Sequence, residues 1–481
     1  MKRWIWLAFA IVALATAGVT LIALPRTPEW TTSSTQAFSE IEAGQADLNK
    51  FYFREALRHF QLAHELDPDL LIAKWRITQL LMRENSDQAS RFVDELMTAD
   101  LSTLTPREKF FIEHWRAVRN DQPDEAARLL DECIREHPND PYMLERKAME
   151  AWQQVNFEDG DHLNDAERLY EELLELDPNW VIAYNMLGYI RMMQGRFAEA
   201  EESFKSYRFI APDQANPHDS LGELYITTGR YDEAEDSLNR AIEIKRDFWA
   251  SYIHLAILKS YSGDFEGAYR VIERGRAEEM PKGIAFGMEC RTHFAELAQR
   301  GEWRQVLDER GSECVAGFKN SFAAIITHRA ACRTGDWETA TALEDEAEWI
   351  LGEAEKSGDL DLSLAFQALT PHLRGVRLAI EGDFGAAEKQ LRESDNRLSF
   401  MEVDFGMYKL YNRLLLAETL LAARQDADAH QLVAAVRRIN PPMVKEFEAS
   451  GFRILGLGSR LTPDSTRSTE EAKPQSSRVS L

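Results

Sequence analysis

Three phrases recur on a fixed ruler: "GRFAEAEESF" from Gly195 to Phe204, "GRYDEAEDSL" from Gly229 to Leu238, and "GDFEGAYRVI" from Gly263 to Ile272. Their glycines lie 34 residues apart, twice in succession. Self-similarity at a period of about 20–50 residues marks a chain built from stacked copies of one small unit. Such a unit cannot bury its apolar face alone, so neighbours must cover it and the chain grows by adding units. Within each copy, small and apolar residues fall at helical spacing on either side of a glycine-containing turn, which specifies helix, turn, helix.

A single register accounts for all three copies. With Tyr184 as the first core position of a first helix, Leu187 and Gly188 face the second helix. Gly195-Arg196-Phe197 makes the turn, Ala200 and Phe204 line the second helix, and Pro212 stops it. A shift of 34 gives His218, Leu221, Gly222, Tyr225, Gly229, Ala234, Leu238 and Ala241. The next shift gives Tyr252, Leu255, Ala256, Gly263, Ala268 and Ile272. The pairs Gly188/Ala200, Gly222/Ala234 and Ala256/Ala268 are read as small where two antiparallel helices come closest. The turn glycine takes a backbone conformation that ends the first helix. Weaker copies surround this stretch: Ala56, Phe60, Ala63 and Pro68; Ala126, Leu130, Cys133 and Pro138; Ala166, Tyr170, Leu173 and Pro178. Downstream come the turns at Gly301-Glu302-Trp303, Gly335-Asp336-Trp337 and Gly382-Asp383-Phe384, and a last copy from Ala417 to Pro441. About eleven hairpins are expected between Ala37 and Pro442, each touching only its neighbours.

A 34-residue helical hairpin with these residues resembles the tetratricopeptide repeat over about 400 residues, most specifically from Trp180 to Met280. "LTPREKFFIE" (Leu104–Glu113) and "NPHDSLGELYITTGRYDEA" (Asn216–Ala234) are similar to repeat arms that bacteria fuse to serine/threonine kinases or winged-helix regulators. The resemblance implies an all-α solenoid that binds proteins. Some family members grip a peptide's terminal carboxylate with Lys and Asn in the groove. Here the middle repeat offers Asp219 and Glu223, which would repel a carboxylate and suit a neutral or basic extended segment.

Composition sets limits on partners. Asp+Glu total 81 against 56 Lys+Arg, a net charge of −25, so the surface repels phosphate backbones and nucleic acid is not expected. No phosphate-binding glycine loop, HExxH or GxSxG is present, so no catalysis, cofactor or metal is expected. His59 and His64 read as solvated helix positions. His328 fills the slot of Gly188 and Gly222 and reads as a satisfied, partly buried histidine. His114, beside Glu113 and Trp115, has no partner at a fixed spacing. Trp303, Trp337 and Phe384 read as turn staples.

Residues 1–25 are different. Lys2 and Arg3 precede 21 uncharged residues, Trp4–Leu24, which match the ~20 needed to cross a bilayer. A cleaved signal peptide with its site at Ala15-Thr16-Ala17 is the rival reading. The apolar run continues past that site, which favours an anchor with its basic end in the cytoplasm. Residues 26–36 read as a linker, 37–442 as the solenoid (clearest over 180–281), 443–458 as a terminal cap and 459–481 as a disordered tail.

The expectation is thus an all-α solenoid on one transmembrane helix. It would be single-pass in a bacterial inner membrane with its bulk in the periplasm, acting as a scaffold or adaptor. The alternative is a sensor arm for a separately encoded kinase or regulator. Groove candidates from the first helices are Asn185, Tyr189, Met192, Asp219, Glu223, Ile226, Ile257 and Tyr261, which either contact a partner or are merely solvated. Cys290 and Cys314 lie 11 residues before and 13 after Gly301, at similar height in a hairpin. They are read as two buried thiols or, in an exported chain, a disulfide.

Overall fold

The computed structural model describes residues 30–81, 87–153, 161–310, 312, 314, 321–400, 403–450, 454, 455 and 457. Every regular element among them is an α-helix. No helix among them is long and apolar enough to cross a membrane. The expected span Trp4–Leu24 and the tail 459–481 lie outside the described residues. The chain divides into two compact units, residues 1–143 and 144–481.

The first unit holds α1 (Thr35–Leu48), α2 (Phe53–Leu66), α3 (Leu71–Leu81), α4 (Asp87–Thr98), α5 (Pro106–Arg119) and α6 (Pro123–Glu136). They pack as α1 on α2, α3 on α4 and α5 on α6, over a core that includes Ile41, Phe60, Trp75 and Leu96. Part of the expected linker is built into this unit. Trp30 is buried and its indole donates to Glu42 at 2.5 Å. The Thr31 N–H donates to Glu108 at 2.8 Å. Glu108 also closes a capping box with Thr105 at the start of α5. The Thr105 N–H of the helix start and the Thr31 N–H of the entering chain therefore share one carboxylate, while the Glu108 N–H donates to the Thr105 hydroxyl.

Helix α7 (Pro141–Gln153) leads into the second unit. There follow α8 (Asp161–Leu176), α9 (Val181–Met193), α10 (Phe197–Ile210), α11 (Asn216–Thr227), α12 (Tyr231–Ile244), α13 (Trp249–Tyr261), α14 (Phe265–Ala277), α15 (Lys282–Arg300) and α16 (Trp303–Asp308). The last are α17 (Ser321–Thr334), α18 (Trp337–Ser357), α19 (Leu360–Glu381), α20 (Phe384–Arg397), α21 (Val403–Ala422), α22 (Asp426–Ile439) and α23 (Pro441–Ala449). In this unit α9 packs on α10, α11 on α12, α13 on α14, α15 on α16, α17 on α18, α19 on α20 and α21 on α22, and α23 follows on α22.

The turn of the hairpin is a backbone requirement. Gly195, Gly229, Gly263, Gly301, Gly335 and Gly382 each sit two residues before a second helix with φ between 73° and 95°, where only glycine is at ease. The same place is held by Phe51, Asp121 and Arg424 at φ 63°, 54° and 63°. The weaker copies thus keep the turn without its marker residue, at a cost of about 1–2 kcal/mol each.

The small residues of the first helices make room for a residue further along than the sequence register implies. A Cβ on Gly188 would lie 2.2 Å from the Phe204 ring, and one on Gly222 would lie 2.6 Å from Leu238. Gly44 meets Phe60 and Gly375 meets Leu391 in the same way. In every case the large residue is 16 positions later. Ala200, Ala234, Ala256 and Ala268 are fully buried. In the α17/α18 hairpin the glycine slot is His328, and position 16 later is Glu344. The imidazole and the carboxylate meet at 3.0 Å, and Arg377 adds bonds of 2.8 and 3.1 Å. The void-and-plug pair has become a buried hydrogen-bonded pair. Against the effect of burial, the His328 and Arg377 bonds hold the Glu344 carboxyl below its ordinary value.

One expectation is corrected. The hairpins do not touch only their neighbours. Helix α11 packs on α21, and residues from α9–α14 share one core cluster with residues from α19–α23. Asn440 donates to the Thr227 carbonyl at 3.2 Å, and the Phe197 and Phe400 rings meet edge-on at 5.1 Å. The reason lies in the first helices. Leu224, Ile226, Met407 and Leu410 form an apolar inner face, and curling the array onto itself removes that face from water.

Candidate interaction site

Polar residues on the first helices form a seam between consecutive repeats. Asn185 Oδ1 accepts from Ser220 at 2.9 Å and from Asn216 at 3.3 Å. Tyr189 donates to Glu223 and reaches Ser220 at 3.3 Å. Ser251 donates to Asp219 at 2.7 Å, and His254 places Nδ1 3.1 Å from Asp219 and Nε2 3.4 Å from Glu223. The partners are 31–35 residues apart, one repeat on. Buried polar groups need partners, and the period that repeats a side chain also delivers its partner.

This placement corrects the groove expectation. Asn185, Asp219 and Glu223 are only 3%, 3% and 5% exposed, and Met192, Ile226 and Ile257 are core residues. Tyr189 and Tyr261 are half-buried. Tyr261 lies against the Arg291 guanidinium, and burial with the nearby Glu223 raises the Tyr189 hydroxyl well above its ordinary value, so it remains a donor. Asp219, Glu223 and His254 can bring ligand atoms within 4.8 Å of one another. As placed, however, the two imidazole nitrogens face different carboxylates.

A second constellation went unread in the sequence. Glu418 on α21 is 1% exposed and accepts three backbone N–H groups: Ile454 at 2.6 Å, Leu455 at 2.7 Å and Leu457 at 2.8 Å. On α17, Arg329 donates to the Ile454 carbonyl at 3.1 Å, and Arg333 donates to that of Leu455 at 2.9 Å. Trp303 lies against both guanidinium groups, at 5.3 and 5.6 Å. Leu455 borders a small cavity with Ile325, His372, Val376, Tyr411 and Leu415. Residues 454, 455 and 457 therefore lie against the first helices α17, α19 and α21, with a bend at 454 and 455. Burial pushes the Glu418 carboxyl up, while the three N–H groups and Arg329 pull it back, leaving it raised. Burial also holds His372 down to about 4, hence neutral, with Nδ1 2.9 Å from Asn412. The available signal was charge in apolar helices, together with "ILGL" standing alone ahead of a polar tail.

The remaining candidates are structural. Cys290 and Cys314 are joined, closing a 24-residue separation, while Cys133 and Cys332 are buried thiols. Burial raises those thiols to about 11 and about 12, far from reactive thiolates. His59 bonds to Glu40 at 2.5 Å, His64 lies edge-on to Phe92, and His114 is buried against Phe110.

Fold and site together define a helical-hairpin repeat protein that holds part of its own C-terminal main chain on its first helices. The family follows from sequence models: residues 157–215 and 217–248 match the tetratricopeptide repeat, and the chain is a tetratricopeptide repeat protein. No curated protein matches the chain in sequence. Solved structures similar to it include MamA from Desulfovibrio magneticus RS-1, at 20% identity over 36% of this chain and 95% of that one, TM-score 0.30. A tetratricopeptide repeat protein from Parabacteroides merdae is 16% identical over 61% and 98%, TM-score 0.34. The APC/C hetero-tetramer Cut9–Hcn1 is 16% identical over 92% and 81%, TM-score 0.45.

Proposed function

We propose that this chain is a scaffold that holds extended segments of protein partners on the first-helix face of α17, α19 and α21, with no catalysis of its own. We further propose that Trp4–Leu24 tethers it to a bacterial inner membrane, with residues 26–481 on the outer side. The observation that carries the scaffold reading is the grip of Glu418, Arg329 and Arg333 on the N–H and carbonyl groups of residues 454, 455 and 457. Contacts of this kind recognise main-chain groups, which every polypeptide carries. The tether is supported by the uncharged run behind Lys2 and Arg3.

Crosslinking in membranes, followed by purification of the full chain and peptide mapping, tests the scaffold. Partners should be joined to peptides of α17, α19 and α21. Crosslinks that avoid these helices, or no partner at all, would overturn it. Protease added to spheroplasts should digest the bulk of the chain. Release of the protein by carbonate washing would remove the tether.

A further inference from the structure

We infer that Asp219, Glu223 and His254 form a binding site for one divalent transition-metal cation, which pins α11 to α13. The inference stands apart from the scaffold reading and rests on the seam between two repeats. Asp219 and Glu223 are four residues apart, so they share one face of α11. His254 on α13 comes to them from the next repeat. One oxygen of each carboxylate and one ring nitrogen lie within 4.8 Å of one another.

The charge at this place is not something the fold demands. One period earlier the same slots hold Asn185, Tyr189 and Ser220, which are neutral and hydrogen-bonded. One period later they hold Ile253, Ile257 and Met288, which are apolar. Of these three intervals only the middle one carries charge, and it buries two carboxylates that are 3% and 5% exposed. The imidazole supplies at most one positive charge against those two. Burial, and then the charges of Glu223 and Asp219, hold the Tyr189 hydroxyl well above its ordinary value. Buried charges are paired or coordinate metals. A divalent cation on both carboxylates and a neutral imidazole brings these three side chains to zero charge. Asp219 also has an oxygen to give. Ser251 and His254 both bond to Oδ1, and Oδ2 has no hydrogen bond among the described residues.

Mixed nitrogen and oxygen ligands select the ion. Imidazole suits zinc and its first-row neighbours, whereas magnesium and calcium take oxygen. Bonds of ~2.1 Å to a tetrahedral ion set ligand atoms ~3.4 Å apart. His254 already stands 3.1 Å from Asp219 and 3.4 Å from Glu223. Those contacts use different nitrogens, so binding turns the ring until one nitrogen serves the ion. Supporting bonds are in place: Tyr189 donates to Glu223 and Ser251 to Asp219, which orients both carboxylates. Three protein ligands leave a fourth position for water.

The test uses the full chain without a histidine tag, stripped with a chelator and then given zinc. A crystal should show an anomalous peak at the zinc edge bonded to Asp219, Glu223 and His254. Zinc should also raise the melting temperature, and magnesium at the same concentration should not. The double variant Asp219→Asn, His254→Ser copies the neutral pair Asn185 and Ser220, so its seam has a working precedent one repeat away. It should bind zinc at least ~10-fold more weakly in competition with a fluorescent chelator, and lose the rise in melting. Absence of a peak among the three residues would overturn the inference, whether or not the variant folds. So would a variant that keeps the wild-type affinity, which would put the ion elsewhere on the acidic surface. An equal rise with magnesium would overturn the assignment to a transition metal.

Discussion

The repeats α9–α14 and the hairpins α17–α22 share one fold and use their buried charge differently. In the first region helices run 12–14 residues, and the buried Asn185, Asp219 and Glu223 are bonded to side chains about one period away. In the second, α18, α19 and α21 run 20–22 residues, and Glu418 and Arg329 reach 36 and 125 residues along the chain to segment 454–457. Regular repetition places matching polar groups opposite each other, so the seam is closed within the array. Where the period decays, Glu344 still finds Arg377 33 residues on, but Glu418, Arg329 and Arg333 take main chain instead. Regularity here marks the half that closes its polar groups within the array, and irregularity marks the half that holds a distant piece of its own main chain.

The largest expected effect follows from that contrast. Glu223→Lys places a cation where Tyr189 donates, in a buried seam that cannot open locally. It should destabilise the second unit by roughly 3–5 kcal/mol in thermal or denaturant unfolding. Glu418→Gln should disturb global melting far less, because residues 454–457 can leave and find water. Equal losses at the two glutamates would break the distinction.

Next comes Gly222→Leu, which drives a side chain into Leu238 and should cost about 1–3 kcal/mol, or more. Slightly smaller is the difference between two identical turns. Gly195 and Gly229 share φ of 74°, but nothing lies near a Cβ on Gly195, whereas one on Gly229 would sit 2.5 Å from Asn440. Gly195→Ala should cost the backbone penalty alone, about 1 kcal/mol. Gly229→Ala should cost more, because its Cβ would also lie 2.8 Å from Pro442. Equal costs at the two turns would mean that the array does not curl back. Smallest is Arg424→Gly, which should stabilise by about 1 kcal/mol by relieving a left-handed non-glycine residue.

Much of this was legible in the sequence. The 34-residue spacing of Gly195, Gly229 and Gly263 gave the hairpin and its turn, and Gly188 and Gly222 gave the close approach. The plugs, Phe204 and Leu238, were read as lining residues because helical spacing alone does not say which of two turns meets a neighbour. Phe51, Asp121 and Arg424 hid their turns because backbone geometry survived the loss of glycine. Asn185, Asp219 and Glu223 looked like groove contacts because a first-helix position faces inward in one repeat considered alone. Their partners Ser220, Ser251 and His254 lie one period on, a relation visible only when the repeats are stacked. The clamp was unreadable for a different reason. Glu418, Arg329 and segment 454–457 have no shared period, and only the curled fold brings them together.

Native-state hydrogen exchange on the wild-type chain tests the central claim most directly, since it reads both regions in one sample. Amides in the middle of α11 should exchange only through opening of the whole repeat array. Those of Ile454, Leu455 and Leu457 should be protected, yet open through a separate local event of much lower free energy. Two classes with that ordering are the predicted result. A single class, in which segment 454–457 exchanges together with α11, or exchange of 454–457 as fast as in a free peptide, would contradict the account.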